Sequence, residues 1–348
     1  MVYMTVMREE HSKDPLTRRA FIGAASAFAA YPVLAQGAGW RGVADAARSL
    51  DQCHAMIIHQ DGLQVLSEVF RGPSLDRAVP IKSVSKTIVA ALTGAALDRG
   101  EIPSVDATIG DLAAGLIPRN ADPEVASITI ENLVTMQAGL ERTSGANYGG
   151  WVSSPNWVAN ALSRPMVARP GSRMLYSTGS YHVLGAVLSE VSGESLLSLA
   201  RARLGRPLGI DIPAWTRDPQ GRYLGGNEMA LTLSAMVRFG EMYLNGGRAG
   251  GAQVLSADWV RRSVQPITRS VFSGLGYGYG WFLGRGGGTD YALARGYGGQ
   301  VICIIPDLAV TLAITSDPTR PARSGGYFGD LIGLIEGTII PTARAERV

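Results

Sequence analysis

Strand patterns stand at both ends of this chain, and helix patterns fill the middle. Near the N-terminal end, His54-Ala-Met-Ile-Ile-His59 and Leu63-Gln-Val-Leu-Ser-Glu-Val-Phe70 flank Asp61-Gly62. That dipeptide accepts positive φ at two successive positions and closes a tight hairpin. Far along the chain, residues 300–305 and 309–315 are two apolar runs around Pro306-Asp307, a second hairpin, and Gly280-Trp281-Phe282-Leu283 offers another strand. Between them Val84, Ile88, Ala91, Leu92 and Ala95 recur at helical spacing, with Gly100 as a stop. Residues 130–136, 181–191, 195–203 and 232–244 continue the helical theme, and 327–339 add an amphipathic stretch at the end. The expected fold class is α+β: an antiparallel sheet formed by both termini, with flanking helices and an inserted, mostly helical domain. The expected boundaries are 36–80 with 252–348 for the sheet domain and 81–251 for the helical one. The run Gly284-Arg285-Gly286-Gly287-Gly288 lacks the strand-then-helix setting of a phosphate loop and reads as a hairpin turn.

A chain of 348 residues can bury a sizeable core. Its formal charge of +3 is too small, and its basic residues too dispersed, for nucleic acid or an anionic membrane to be the expected partner. The first residues follow a separate logic. Thr17-Arg18-Arg19-Ala20-Phe21-Ile22 precedes a short apolar run, Ala24 to Ala30, and then Tyr31-Pro32-Val33-Leu34-Ala35. This resembles a twin-arginine export signal occupying residues 1–35, cleaved after Ala35. The run is too short to span a bilayer, so no stable membrane span is expected after cleavage. The expected partner during export is the twin-arginine translocase, and the expected destination is the periplasm or the cell exterior. Cys53 and Cys303 each sit beside a β-like apolar run and read as small buried hydrophobes, although an oxidising compartment leaves pairing open. No C-x-x-C or His cluster points to a metal, and no cofactor is expected.

Only three of the 32 basic residues are lysines: Lys13, in the expected signal, and Lys82 and Lys86, which flank Ser83. Where arginine does almost all the basic work, a retained lysine draws notice, because arginine stays protonated while lysine can be neutralised. Ser83-Val84-Ser85-Lys86 is the S-x-x-K arrangement of a serine hydrolase, read here at a helix start. Positions 83 and 86 share a helix face, and the free N–H groups of a helix start favour an oxyanion. For Lys86 to accept the serine proton its pKa must fall from about 10.4 toward roughly 7–8. That is about 4 kcal/mol, and a helix terminus supplies only roughly 0.3–2 kcal/mol. Burial or a second group must supply the rest.

Further motifs follow in order. Pro170-Gly171-Ser172 leads to Tyr176-Ser177-Thr178, and residues 128–140 read Ile-Thr-Ile-Glu-Asn-Leu-Val-Thr-Met-Gln-Ala-Gly-Leu. Later come Arg206-Pro207-Leu208-Gly209, Gly225-Gly226 with Arg238-Phe239-Gly240, Tyr277-Gly278-Tyr279-Gly280-Trp281, and Arg295-Gly296-Tyr297-Gly298-Gly299-Gln300. Over roughly residues 50–340 this set resembles the serine β-lactamase and penicillin-recognising superfamily. The nearest branch is its class C-like one of esterases, peptidases and 6-aminohexanoate-dimer hydrolases. The resemblance implies Ser83 as acylated nucleophile, Lys86 as base or proton relay, and Tyr176 sharing the proton work. A Tyr phenol needs lowering from about 10 for that work, which favours a Lys86–Tyr176 couple over either group alone. It also implies that the strand motif falls on Ala294-Arg295-Gly296, with the Tyr297 N–H facing that of Ser83 across an oxyanion site.

Two departures bear on substrate. Thr178 stands where relatives carry Asn in the Tyr-x-Asn motif, and Ala294 stands where they carry Lys or His. Both changes argue against β-lactams and carboxylate-terminated peptides, although Arg295 offers a replacement cation. Ala235 also stands where relatives often carry an acidic residue, without a consequence that follows from it. There is no Gly-x-Ser-x-Gly elbow, and of the later histidines His54 and His59 fit the first hairpin while His182 adjoins Tyr181 on a helix. Tyr148, Trp151, Trp157, Tyr277 and Tyr279 are candidates for a cleft wall or for core packing. The leading expectation is an exported serine hydrolase acting on a small-molecule ester or amide. The alternatives are a β-lactamase or D-amino-acid peptidase acting on cell-wall material, and a non-catalytic penicillin-binding-like sensor.

Overall fold

The computed structural model describes residues 37–347. The expected export signal, with Arg18 and Arg19, lies outside the described residues. One eight-stranded antiparallel sheet joins the two ends of the chain. β1 (Cys53–Gln60) and β2 (Leu63–Val69) come from the N-terminal side. β3 (Thr268–Arg269), β4 (Gly276–Tyr277), β5 (Phe282–Gly286), β6 (Thr289–Gly296), β7 (Gln300–Ile305) and β8 (Val310–Ser316) come from the C-terminal side. The order is β2-β1-β8-β7-β6-β5-β4-β3. The seam between the ends is β1 on β8, where Ile57 faces Ala313 and Ile58 faces Leu312. Every residue of β7 and β8 is buried, so these central strands are covered on both faces and read as continuous apolar runs rather than alternating ones.

The turns follow from local chemistry. Asp61 and Gly62 have φ of 51° and 76°, the two positive values that a tight β1–β2 turn requires. Gly287 and Gly288 do the same between β5 and β6, so the glycine-rich run is a hairpin turn. Pro306–Leu308 forms a short 3₁₀ turn between β7 and β8.

Helices α1 (Ala38–Ser49), α2 (Ser85–Asp98), α3 (Thr178–Ser192), α4 (Leu233–Leu244) and α5 (Tyr327–Leu334) are the longer ones. α4 packs on β8, β7 and β1, and a buried His59–Glu241 contact of 2.7 Å ties it to β1. α2 is buried well beyond the apolar positions that its helical spacing picks out: every residue from Ser85 to Ala96 is buried. A helix covered on all sides is a core element, here packed against α3 and the inner end of β6. Both cysteines are buried and free.

Candidate active site

Ser83 lies just outside α2. Lys82, Ser83 and Val84 form a 3₁₀ turn, and the α-helix begins at Ser85. Lys82 holds φ at 51°, a left-handed conformation that costs a side-chain-bearing residue on the order of 1–2 kcal/mol. Its surroundings hold it there. The ammonium of Lys82 donates to both carboxylate oxygens of Glu228, at 3.1 and 3.2 Å. The Ser85 hydroxyl donates to the Lys82 carbonyl at 2.6 Å and accepts the Met229 N–H at 3.2 Å. The Ile81 N–H donates to Met229 O at 2.9 Å, and Val79 and Pro80 pair with Leu231 and Ala230. The segment 225–231 therefore runs as a splint along the serine turn.

Lys86 is 2% exposed, and its amine has three neighbours. Nζ lies 2.6 Å from Gly226 O, 3.0 Å from Ser83 Oγ and 3.2 Å from Thr178 Oγ1. No carboxylate is among its partners in the described residues. Burial, unopposed by a negative charge, pushes its pKa from 10.5 down to about 7. At 1.36 kcal/mol per unit this displacement is worth about 5 kcal/mol, so burial alone supplies what a helix terminus could not.

Tyr176 stands opposite. Its loop is held by Leu175 N–H on Met136 O at 2.7 Å and by the Gln137 amide on Gly171 O at 2.8 Å. The hydroxyls of Thr143 and Ser144 accept the Gly179 and Thr178 N–H groups, capping α3 immediately after it. The Tyr176 ring sits 5.1 Å from Lys86 Nζ, and its hydroxyl hydrogen-bonds with Ser83. Burial raises its pKa, against the lowering that hydrogen bonding to Ser83 and the charge of Arg295 exert. The lowered phenol expected from the sequence is thus corrected: Tyr176 stays a protonated donor, and Lys86 is the group brought near neutrality.

β6 brings the remaining residues. A Cβ on Gly296 would lie 2.3 Å from Ile81 O, so only glycine lets the end of this strand touch the serine turn. Tyr297 follows it, and its side chain lines the same pocket as Ser83. This pocket of about 240 Å³ is lined by Tyr176, Phe272, Phe282, Arg295, Tyr297 and Ala322. A larger groove of about 670 Å³ along β3–β6 has neither serine nor lysine in its lining. The Arg295 guanidinium donates to Ser324 Oγ and Ala322 O and lies 3.4 Å from the centre of the Phe328 ring. Burial lowers its pKa to about 10, which leaves it cationic at neutral pH.

Thr178 was expected at the substrate. It is buried, and its hydroxyl is bonded to Lys86 and, at 3.0 Å, to Ser144, so it addresses the base instead. His182 has both ring nitrogens engaged by Asp218 and Gly225, and no serine is among its partners in the described residues. Trp151, Trp157, Tyr277 and Tyr279 are core residues, while Tyr148 is half-buried and accepts from the Asn227 amide at 3.0 Å. Sequence reasoning missed Glu228 and Ser144, and it quoted Gly225-Gly226 without a role. The glycine pair was the one available signal.

The family model described as "Beta-lactamase" matches residues 46–334. Penicillin-binding protein 4 of Amycolatopsis lactamdurans is 25% identical over 302 residues, which cover 76% of this chain and 78% of that protein. The D-alanyl-D-alanine-carboxypeptidase/endopeptidase AmpH of Escherichia coli K12 is 28% identical over 208 residues, 56% of this chain and 53% of its own length. Among solved structures, a Bacillus anthracis protein described as a 6-aminohexanoate-dimer hydrolase superposes with a TM-score of 0.74 at 17% identity, covering 91% of this chain and 88% of that one. EstCE1, a hydrolase with promiscuous acyltransferase activity, superposes at 0.69 with 17% identity, covering 85% and 99%. The sheet closed by both termini and the match over most of the chain have one meaning: this protein belongs to the β-lactamase-like family of serine hydrolases.

Proposed function

We propose that the protein is an exported serine hydrolase that cleaves a neutral ester or amide through an acyl-enzyme on Ser83. One observation carries this reading: Lys86 Nζ lies 3.0 Å from Ser83 Oγ with a pKa brought to about 7 by burial. About half of such lysines are neutral at neutral pH, and their lone pair can accept the serine proton. As that proton moves to Nζ, Oγ bonds to the substrate carbonyl carbon, and the oxyanion is received by the N–H groups of Ser83 and Tyr297. When the tetrahedral adduct collapses, the C–O or C–N bond breaks and the leaving group takes a proton from the Tyr176 hydroxyl, which is replenished from Lys86. Water then attacks the acyl-serine, gives up its proton by the same route, and releases the acid and free Ser83.

The substrate class follows from the pocket wall. Phe272, Phe282 and Tyr297 favour an apolar acyl or alcohol portion, and about 240 Å³ suits a short one. Thr178 and Ala294 replace the side chains that relatives use to hold a β-lactam. Each missing contact costs about 1–3 kcal/mol of transition-state binding, or two to four orders of magnitude for the pair. Nitrophenyl butyrate is therefore expected to exceed a chromogenic cephalosporin in kcat/KM. The reverse order would favour the second reading, a β-lactamase or D-amino-acid peptidase. The feature on its side is Arg295, a cation in the pocket lining with no carboxylate partner among the described residues. A single burst of product without turnover would favour a penicillin-binding-like sensor. Export is tested by N-terminal sequencing of the secreted protein, expected to begin at Gln36, and by loss of secretion when Arg18 and Arg19 both become Lys.

A further inference from the structure

We propose that the buried Asp218–His182 pair positions the Lys86 base, acting through the backbone of Gly225 and Gly226. This rests on the reading of Ser83 and Lys86 as nucleophile and base. His182 and Asp218 are 0% exposed in their side chains, with His182 Nε2 at 3.0 Å from Asp218 Oδ2. The other carboxylate oxygen, Oδ1, accepts the backbone N–H groups of Gln220 at 2.9 Å and Arg222 at 2.8 Å. Burial alone would raise the Asp218 pKa, but the His182 hydrogen bond, together with these backbone donors, outweighs it and keeps the group ionised. A carboxylate only accepts, so Nε2 carries a proton, and Nδ1, at which the Gly225 N–H is aimed, is left to act as an acceptor. Trp151 and Trp157 close over the ring at 5.8 and 5.7 Å, and their own N–H groups are spent on backbone carbonyls. Among the described residues, the polar group that reaches Nδ1 is the Gly225 N–H, at 3.4 Å.

The next peptide is the one that matters to the lysine. A Cβ on Gly225 would lie 2.2 Å from Tyr181 O, so the chain passes hard against α3, and one residue later Gly226 O takes the shortest hydrogen bond of Lys86. A neutral amine has two N–H bonds and one lone pair. Gly226 O can only accept, so it fixes one N–H, and Thr178 Oγ1 takes the other. The lone pair is then left facing Ser83 Oγ. If Gly226 drifts, the amine is free to turn an N–H toward the serine, and it no longer serves as a base. His182 is thus a positioning residue, with Asp218 setting its tautomer.

Asp218→Asn tests this without changing volume. The amide oxygen stays with the Gln220 and Arg222 N–H groups, which turns the NH₂ toward His182 Nε2 and drives the imidazole proton to Nδ1. There it opposes the Gly225 N–H, donor against donor. His182→Asn offers an amide oxygen near the Nδ1 position, and His182→Leu offers none. In the full-length protein, the pH dependence of Ser83 labelling by a fluorophosphonate and of nitrophenyl butyrate turnover are measured for all four proteins. Asp218→Asn and His182→Leu are expected to slow labelling and kcat about ten- to a hundredfold with little change in KM. Their acid limb should move to lower pH by about half a unit or more, since the carbonyl that favoured the ammonium form is withdrawn. His182→Asn should recover most of the rate. Labelling as fast as wild type in Asp218→Asn, or equal damage from His182→Asn and His182→Leu with an unmoved limb, overturns the positioning role alone. A wild-type protein that takes no label at Ser83 overturns the hydrolase reading as well.

Discussion

Lys82 and Lys86 stand four residues apart on either side of the same serine turn, yet they meet opposite surroundings. Lys82 is half-buried at the surface and bound to the Glu228 carboxylate. Lys86 is 2% exposed, and its hydrogen-bond partners among the described residues are neutral oxygens. Burial among dipoles without a counter-ion disfavours the charged form of Lys86. The same residue type thus serves as a clamp on one side and a base on the other. What differs is how deeply the amine is buried and whether a carboxylate meets it.

Four experiments break or sharpen that contrast. Ser83→Ala removes the atom that Lys86 is there to deprotonate. Ester turnover should fall by about four orders of magnitude or more, and the fluorophosphonate adduct should vanish by mass spectrometry. An adduct elsewhere would move the site. Lys86→Arg comes next, with a loss of about two to four orders of magnitude in kcat. Arginine keeps the charge and cannot give up its proton, so it should be nearly as damaging as Lys86→Ala. An Arg variant with half the activity would make Lys86 an electrostatic partner only.

The pH profile has a smaller and directional effect. A base of pKa about 7 is active above that value and loses about tenfold of kcat/KM per unit of pH well below it. Burial lowered this pKa, so the acid limb marks protonation of Lys86. A rate-against-pH series from 5 to 9 that stays flat through 7 would contradict the assignment. Lys82→Met is expected to do least. Its ion pair is partly solvated and worth no more than about 1 kcal/mol, so activity should stay within about fivefold and the acid limb should not move. A Lys82→Met variant as impaired as Lys86→Arg would erase the contrast.

Much of this was legible before any coordinates. Asp61-Gly62 and the two apolar runs after Gln300 announce hairpins because their backbone demands are local. Ser83 and Lys86 stand out through their spacing and the scarcity of lysine. Other features were hidden. The all-round burial of α2 is invisible in its spacing, since a one-faced pattern says nothing of what covers the other face. Thr178 looked like a substrate contact until its hydroxyl proved to be shared between Lys86 and Ser144. Tyr176 looked like a phenol in need of a lowered pKa, and burial in fact raises it.

What the amino-acid order determined by itself is what depends on near neighbours: turn dipeptides, helix periods, and a serine and lysine one turn apart. Which lysine is the base was decided only in three dimensions. Glu228 lies 146 positions from Lys82, and Gly226 lies 140 from Lys86. Whether a carboxylate or a carbonyl arrives at an amine is settled by how distant segments pack. For Lys86 the desolvation that comes with that packing is what brings its pKa down.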